Sequence, residues 1–303
     1  MYSTFDNVDG KQARRTGTSS PLGELFDHGI DSLNCTLASL LQTVATGAGS
    51  TRLGALIALC PCLPMFFSTW ETYHTHTLYL GYFNGPTEGL LVVTTSMLIS
   101  GYLGPQVWDH KIAEVLPYPE LFGDYNLREL WVPIIFISFF TAGLPGCVYH
   151  VVQARRKAGL PVAPVFLEWT PMLVFTGSIV AWLGSEDSHL LEDNHLTLFC
   201  LILSLVFGRL TTKIILHHLT RQPFPYFTMM LVPLVGGAVL ANLPRFGVEA
   251  ITPAYEHLYL QVYFVFALVV YSNWAVRVIN KICHFLDINC LTIKSRKDDK
   301  KDS

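Results

Sequence analysis

Charge is what this chain of 303 residues has least of. Asp, Glu, Lys and Arg make up 14% of it, against roughly 25% in an ordinary soluble domain. The formal net charge is −3, too little positive charge to suggest nucleic acid as a partner. Cysteine is sparse and unpatterned. Cys60 and Cys62 form the only close pair, inside an apolar run and without the second half of a zinc knuckle. The seven cysteines therefore read as small apolar helix residues. The N-terminus lacks the basic flank and apolar core of a secretory leader, so none is expected. No internal repeat is visible.

What the chain has in plenty is apolar sequence: 51% of it is hydrophobic. Runs long enough to cross a bilayer lie at 23–46, 53–73, 87–107, 131–154, 165–184, 196–217, 225–243 and 255–280. The expected fold is all-α, a polytopic membrane helix bundle of eight transmembrane helices plus an N-terminal helix stub over 1–10. Residues 1–285 form one membrane domain and 286–303 a charged tail. With the 11–22 loop in the cytosol, the cytosolic segments hold 14 Lys and Arg and the opposite loops only 4, Arg52, Lys111, Arg128 and Arg245. Arg209 and Lys213 lie inside a span, near its cytosolic end. Lys300 and Lys301, near the end of a cytosolic tail, resemble an endoplasmic reticulum retrieval signal. The expected location is that membrane, with the Golgi as a second compartment.

Scarce charge makes the clustered charge informative. Asp6 and Asp9 are three residues apart, and Glu24, Asp27, His28 and Asp31 follow at i, i+3, i+4 and i+7. On a helix each set shares one face. Carboxylates at a membrane edge are costly and mark a functional site by default. Facing one another they would repel, and a divalent cation removes that conflict. An all-oxygen carboxylate set suits Mg²⁺ or Mn²⁺, with room for two ions astride a pyrophosphate. Arg14, with Lys11 and Arg15 beside it, supplies donors for phosphate oxygens. His28 is the natural general base, and Glu24, one turn back, can orient its ring. Asn34 lies close enough to touch a nucleotide. Trp70, Glu71 and Tyr73 offer an aromatic and acidic lining for a cationic head group.

Asp6-x-x-Asp9-Gly10-x-x-Ala13-Arg14, eight residues, then Gly23-x-x-x-Asp27-x-x-x-Asp31 resembles the signature of the CDP-alcohol phosphatidyltransferases. All eight fixed positions are met, a coincidence of about once in 10¹⁰ random stretches. Pro21-Leu-Gly-Glu-Leu-Phe-Asp-His28 and Trp70-Glu-Thr-Tyr-His-Thr-His76 are similar to the choline/ethanolamine phosphotransferase branch, its fungal members especially. The resemblance implies that a CDP-alcohol, CDP-choline or CDP-ethanolamine, gives its phospho-alcohol to the sn-3 hydroxyl of diacylglycerol and releases CMP. It implies metal binding by Asp6, Asp9, Asp27 and Asp31, Arg14 on the cytidine diphosphate, and His28 as proton acceptor. Direct displacement without a covalent enzyme intermediate is implied too, as is a homodimer.

Members of this family carry a further span and a half before the aspartates, so the sequence reads as N-terminally truncated. A non-catalytic form that dimerises with or regulates a full-length enzyme is the alternative expectation. A carrier using the carboxylates as a cation site would have no need of Arg14 and His28.

Overall fold

The computed structural model describes the backbone of residues 2–76, 85–115 and 124–292, and the side chains of 8–76, 91–114 and 124–292. The two lysines of the retrieval-like tail lie outside the described residues. Among those described, structure is helical apart from one isolated bridge, Lys111 to Asn126.

The N-terminal helix α1 runs Tyr2–Thr16, longer than the expected stub. It ends where Gly17 takes φ +66°, a left-handed value that glycine adopts without strain. The connection to the next helix is therefore a few residues, not a dozen. Helix α2, Pro21–Ala45, starts at Ser20, whose Oγ accepts from the Gly23 N–H at 3.2 Å, with Pro21 in the first turn. Helices α3 (Arg52–Leu59) and α4 (Cys62–Thr75) form one apolar rod interrupted beside Pro61, which has no N–H to give the ladder. His76 caps α4 in the left-handed conformation, φ +55°.

Helix α5 spans Gly85–Leu103. Helices α6 (Trp131–Ser138) and α7 (Leu144–Lys157) are joined through a wider turn, Phe139–Gly143. Pro145 follows directly, and a proline there cannot bond back to the preceding turn. Helix α8 (Thr170–Leu183) is entered through a tight helix over Ala163–Trp169. Helices α9 (Leu196–Leu219), α10 (Leu231–Ala241) and α11 (Pro253–Leu286) complete the bundle.

Helix α9 is the axis. In its most apolar stretch 72% of residues are buried, against 11% in α11 and 6% in the 127–157 rod. Those last two therefore present their apolar surface to lipid. Helix α2 lies along α9 at small residues. Ser204 Oγ donates to Leu33 O at 2.8 Å. Gly208 faces Leu33 and Gly29 faces Thr212, so close that a methyl on Gly208 would stand 2.8 Å from Leu33. Small residues let membrane helices approach backbone to backbone.

Of the eight expected spans, five coincide with helices long and apolar enough to cross a membrane: Arg52–Thr75, Leu127–Lys157, Ala163–Leu183, Leu196–Leu219 and Pro253–Leu286, among the described residues. Leu91–Leu103 and Leu231–Ala241 are apolar but short. Helix α2 has the length, 25 residues, but buries Ser32, Thr36, Ser39, Gln42 and Thr43. Its polar face packs inward, with most of the polar groups met there, while Ile30, Leu41 and Val44 stay exposed on the outer face. Thr43 Oγ1 donates to Gly54 O at 3.1 Å, and Ser96 Oγ to Gln42 Oε1 at 2.8 Å. A polar helix sheltered in this way is compatible with a membrane bundle but escapes a simple apolar count.

Candidate active site

The first turns of α2 build the site. Pro21 and the Ser20 cap begin the helix, and from there the 3.6-residue period sets side-chain direction. Leu22, Leu25 and Gly29 turn inward and are buried. Asp27, His28 and Asp31 sit half-buried on the adjoining face, and one ligand atom from each lies within 4.8 Å of the others. Asp27 and Asp31 at that spacing offer two carboxylates to one hard metal ion, with the His28 imidazole beside them. Gly29 beside them sits on Thr212, with 3.5 Å to spare for a methyl, so α9 forms the wall behind the cluster.

The other expected residues are placed less centrally. Asp9, Lys11 and Arg14 ride on α1, all exposed, and Asp9 stands outside the Asp27–His28–Asp31 group. The Asp6 side chain lies outside the described residues. Asn34 is half-buried further along α2. Glu24 points to His218 of α9, Oε1 to Nε2 at 3.9 Å. His218 in turn faces His76, ring centroids 4.8 Å apart. Its Nδ1 is buried without a hydrogen-bond partner among the described residues. The end of α4 and the end of α9 thus converge on the start of α2.

Trp70 and Tyr73 divide. Trp70 is fully buried, and its Nε1 donates to Glu168 Oε2 at 2.8 Å. Its surroundings are aromatic, with Trp169 and Phe67 rings 5.6 and 6.1 Å away. Tyr73 keeps some exposed surface and donates to Gln222 O at 2.8 Å. Around them is a polar network of which sequence reasoning named Glu71, as a lining residue, but neither Glu168 nor the pairing with histidines. His74 Nε2 meets Glu168 Oε2 at 2.6 Å, and His150 Nδ1 meets Glu71 Oε1. These two contacts tie α4 to α7 and to the segment entering α8. Tyr226, in the loop after α9, has its hydroxyl pushed above the usual range, by loss of solvent first and by the Glu168 carboxylate second. Acidic residues within apolar stretches were the only signal for Glu71 and Glu168, and their histidine partners are far away in sequence.

The chain is similar to known proteins along nearly all of its length. The CDP-alcohol phosphatidyltransferase pattern matches residues 1–108. Cholinephosphotransferase 1 of Saccharomyces cerevisiae is 31% identical, over 98% of this chain and 77% of its own length. Choline/ethanolaminephosphotransferase 1 of Arabidopsis thaliana is also 31% identical over the same shares. An uncharacterized CDP-alcohol phosphatidyltransferase class-I family protein of Schizosaccharomyces pombe is 34% identical, over 99% of this chain and 76% of its own.

Proposed function

We propose, since the chain belongs to the CDP-alcohol phosphatidyltransferase family, that it transfers phosphocholine or phosphoethanolamine from the CDP-alcohol to the sn-3 hydroxyl of diacylglycerol. The observation that carries this is the half-buried Asp27–His28–Asp31 cluster, which lies in the family's motif and has its ligand atoms within 4.8 Å. The donor set fits a divalent cation, and Asp6 and Asp9 of α1 are the motif's remaining carboxylates. Mg²⁺ or Mn²⁺, two ions in the complete set, would offset the charge of the pyrophosphate. Arg14 and Lys11 donate to phosphate oxygens, and Asn34 borders the nucleotide.

The chain's own chemistry is proton handling and placement. His28 takes the proton from the diacylglycerol hydroxyl. That oxygen bonds to the phosphorus bearing the alcohol as the bond to the CMP oxygen breaks, and CMP leaves. No serine or cysteine beside a base is needed. Glu24, expected to steady the His28 imidazole, faces His218 instead. Diacylglycerol arrives from the bilayer and the CDP-alcohol from water, so the reaction belongs at the membrane surface. The excess of basic residues at this end of the bundle favours the cytosolic face, and the activities for which the relatives are named favour the endoplasmic reticulum membrane. Tyr73, which keeps exposed surface, is better placed than Trp70 to meet the head group.

The test uses the purified chain in proteoliposomes containing dioleoylglycerol, with labelled CDP-choline and CDP-ethanolamine in separate assays. Labelled phospholipid should form only with Mg²⁺ or Mn²⁺ and cease on chelation. Absence of product with both donors and both metals would refute the reading. Cation flux without transfer would make the chain a carrier.

A further inference from the structure

We infer that Arg209 and Lys213 form a second site, separate from the acidic cluster, that binds the phosphate of a membrane glycerophospholipid where α9 meets α11. Arg209 lies within the α9 span. Its Nε and Nη1 are buried, and neither has a hydrogen-bond acceptor among the described residues. A guanidinium withdrawn from water with donors unmet is costly, and in a membrane helix it is the mark of a functional group. Extension of the side chain to the membrane surface does not account for it. Arg209 is folded against α11, with its Cζ 4.2 Å from the centre of the Trp274 ring. That contact seats the cation over the ring, and its unmet N–H groups are of the kind that bond a bidentate oxygen partner.

Lys213 is one turn further along α9. Its ammonium donates to Phe227 O at 2.9 Å, which uses one of its three donors. Neither residue forms an ion pair among the described carboxylates. Two cations at i and i+4 repel each other, so an anion between them removes two unfavourable terms at once.

Position selects the kind of anion. Gly208 meets Leu33 and Thr212 meets Gly29, so Arg209 stands at about the depth of Asp31. It stands on the α11 side, and α11 is only 11% buried over its apolar stretch. Arg209 therefore lies where α9 meets a helix whose apolar surface is largely uncovered. A phosphate attached to acyl chains suits that position better than a soluble one. The proposal concerns binding alone and does not depend on the transfer reaction.

The experiment is ligand-dependent thermal unfolding of the purified full chain in detergent micelles. The micelles carry dioleoylphosphatidic acid or dioleoylglycerol, or the buffer carries inorganic phosphate or CDP-choline. A ligand that binds only the folded state raises the midpoint. Phosphatidic acid should raise it through Arg209, whereas any rise with dioleoylglycerol, the acceptor in the proposed reaction, should be the same in R209Q. R209Q should abolish the shift and R209K should keep part of it. K213Q should weaken apparent binding roughly tenfold, the effect of removing one charge-assisted hydrogen bond. R209Q failing to fold leaves K213Q and R209K to decide. A full shift retained in R209Q or K213Q would overturn the site. An Arg209-dependent shift with inorganic phosphate or CDP-choline, and none with phosphatidic acid, would overturn the lipid as its ligand.

Discussion

Asp27 and Asp31 stand one helical turn apart with His28 between them, and their closeness is a property of α2 alone. Each should therefore be replaceable without loss of the fold. His28→Ala is expected to lower transfer by about 10²–10⁴-fold, the span of a missing general base, and to leave the unfolding midpoint in place. Asp27→Asn should lower transfer and raise the Mg²⁺ concentration needed for half-maximal rate, measured in the same vesicle assay. Glu256 is the opposite case. It is buried at the far end of the bundle and accepts from Trp182 Nε1 at 2.7 Å, Ser188 Oγ at 2.7 Å and the His189 N–H at 2.8 Å. Glu256→Ala strands three donors and should cost roughly 3 kcal/mol or more of stability. Thermal unfolding checks that, and transfer per folded molecule should be unchanged. The period of α2 made the first group legible in the sequence. The partners of Glu256 come from segments some seventy residues upstream, which no local pattern joins.

Between helices, the decisive contacts are glycine against a larger side chain. Gly237 of α10 faces Trp182 of α8, and a methyl there would overlap the indole ring. Trp182 is itself buried and bonded to Glu256, so it has nowhere to move. Gly237→Ala should destabilise the protein by about 1–3 kcal/mol through overpacking. Gly208→Ala meets the end of the flexible Leu33 side chain instead and should cost less. Comparing the two midpoints separates a rigid neighbour from a yielding one. The helices were visible from apolar length, but their breaks were less so. Pro61 marks the break in the 52–75 rod, whereas the wide turn at Phe139–Gly143 depends on how Pro145 is accommodated by the turn before it.

For the molecule as a whole, the prediction concerns sidedness. The described chain ends just beyond α11, and Cys290 there is exposed. A membrane-impermeant maleimide should label it in sealed microsomes from the cytosolic side, and protection until the membrane is opened would reverse the proposed orientation. Loss of solvent first, and the nearby Cys283 second, hold the Cys290 thiol above its ordinary range. The thiolate is the reactive form. Labelling should therefore be slow at neutral pH and go on quickening to a higher pH than it does for a free thiol. A rate independent of pH would contradict the raised value.

The sequence alone determined the class of the protein and the core of its site. Scarce charge and long apolar runs require a helical membrane bundle, because lipid leaves backbone groups no partner but the helix. The i, i+1, i+4 spacing places Asp27, His28 and Asp31 together, because helix geometry needs no outside help. Tertiary structure decided the rest. It turned the polar face of α2 inward, supplied partners for most of it, and left Ile30, Leu41 and Val44 on the outside. It turned Glu24 toward His218, drew Trp70 into the core on Glu168, and left Arg209 stacked on Trp274 with donors unmet. Each of those outcomes depends on which helices become neighbours, and the packing of small residues along α9 settles that. In the same way, the helix opened by Ser20 and Pro21 orients the aspartates, while only the wall of α9 behind them makes the cluster a half-buried site.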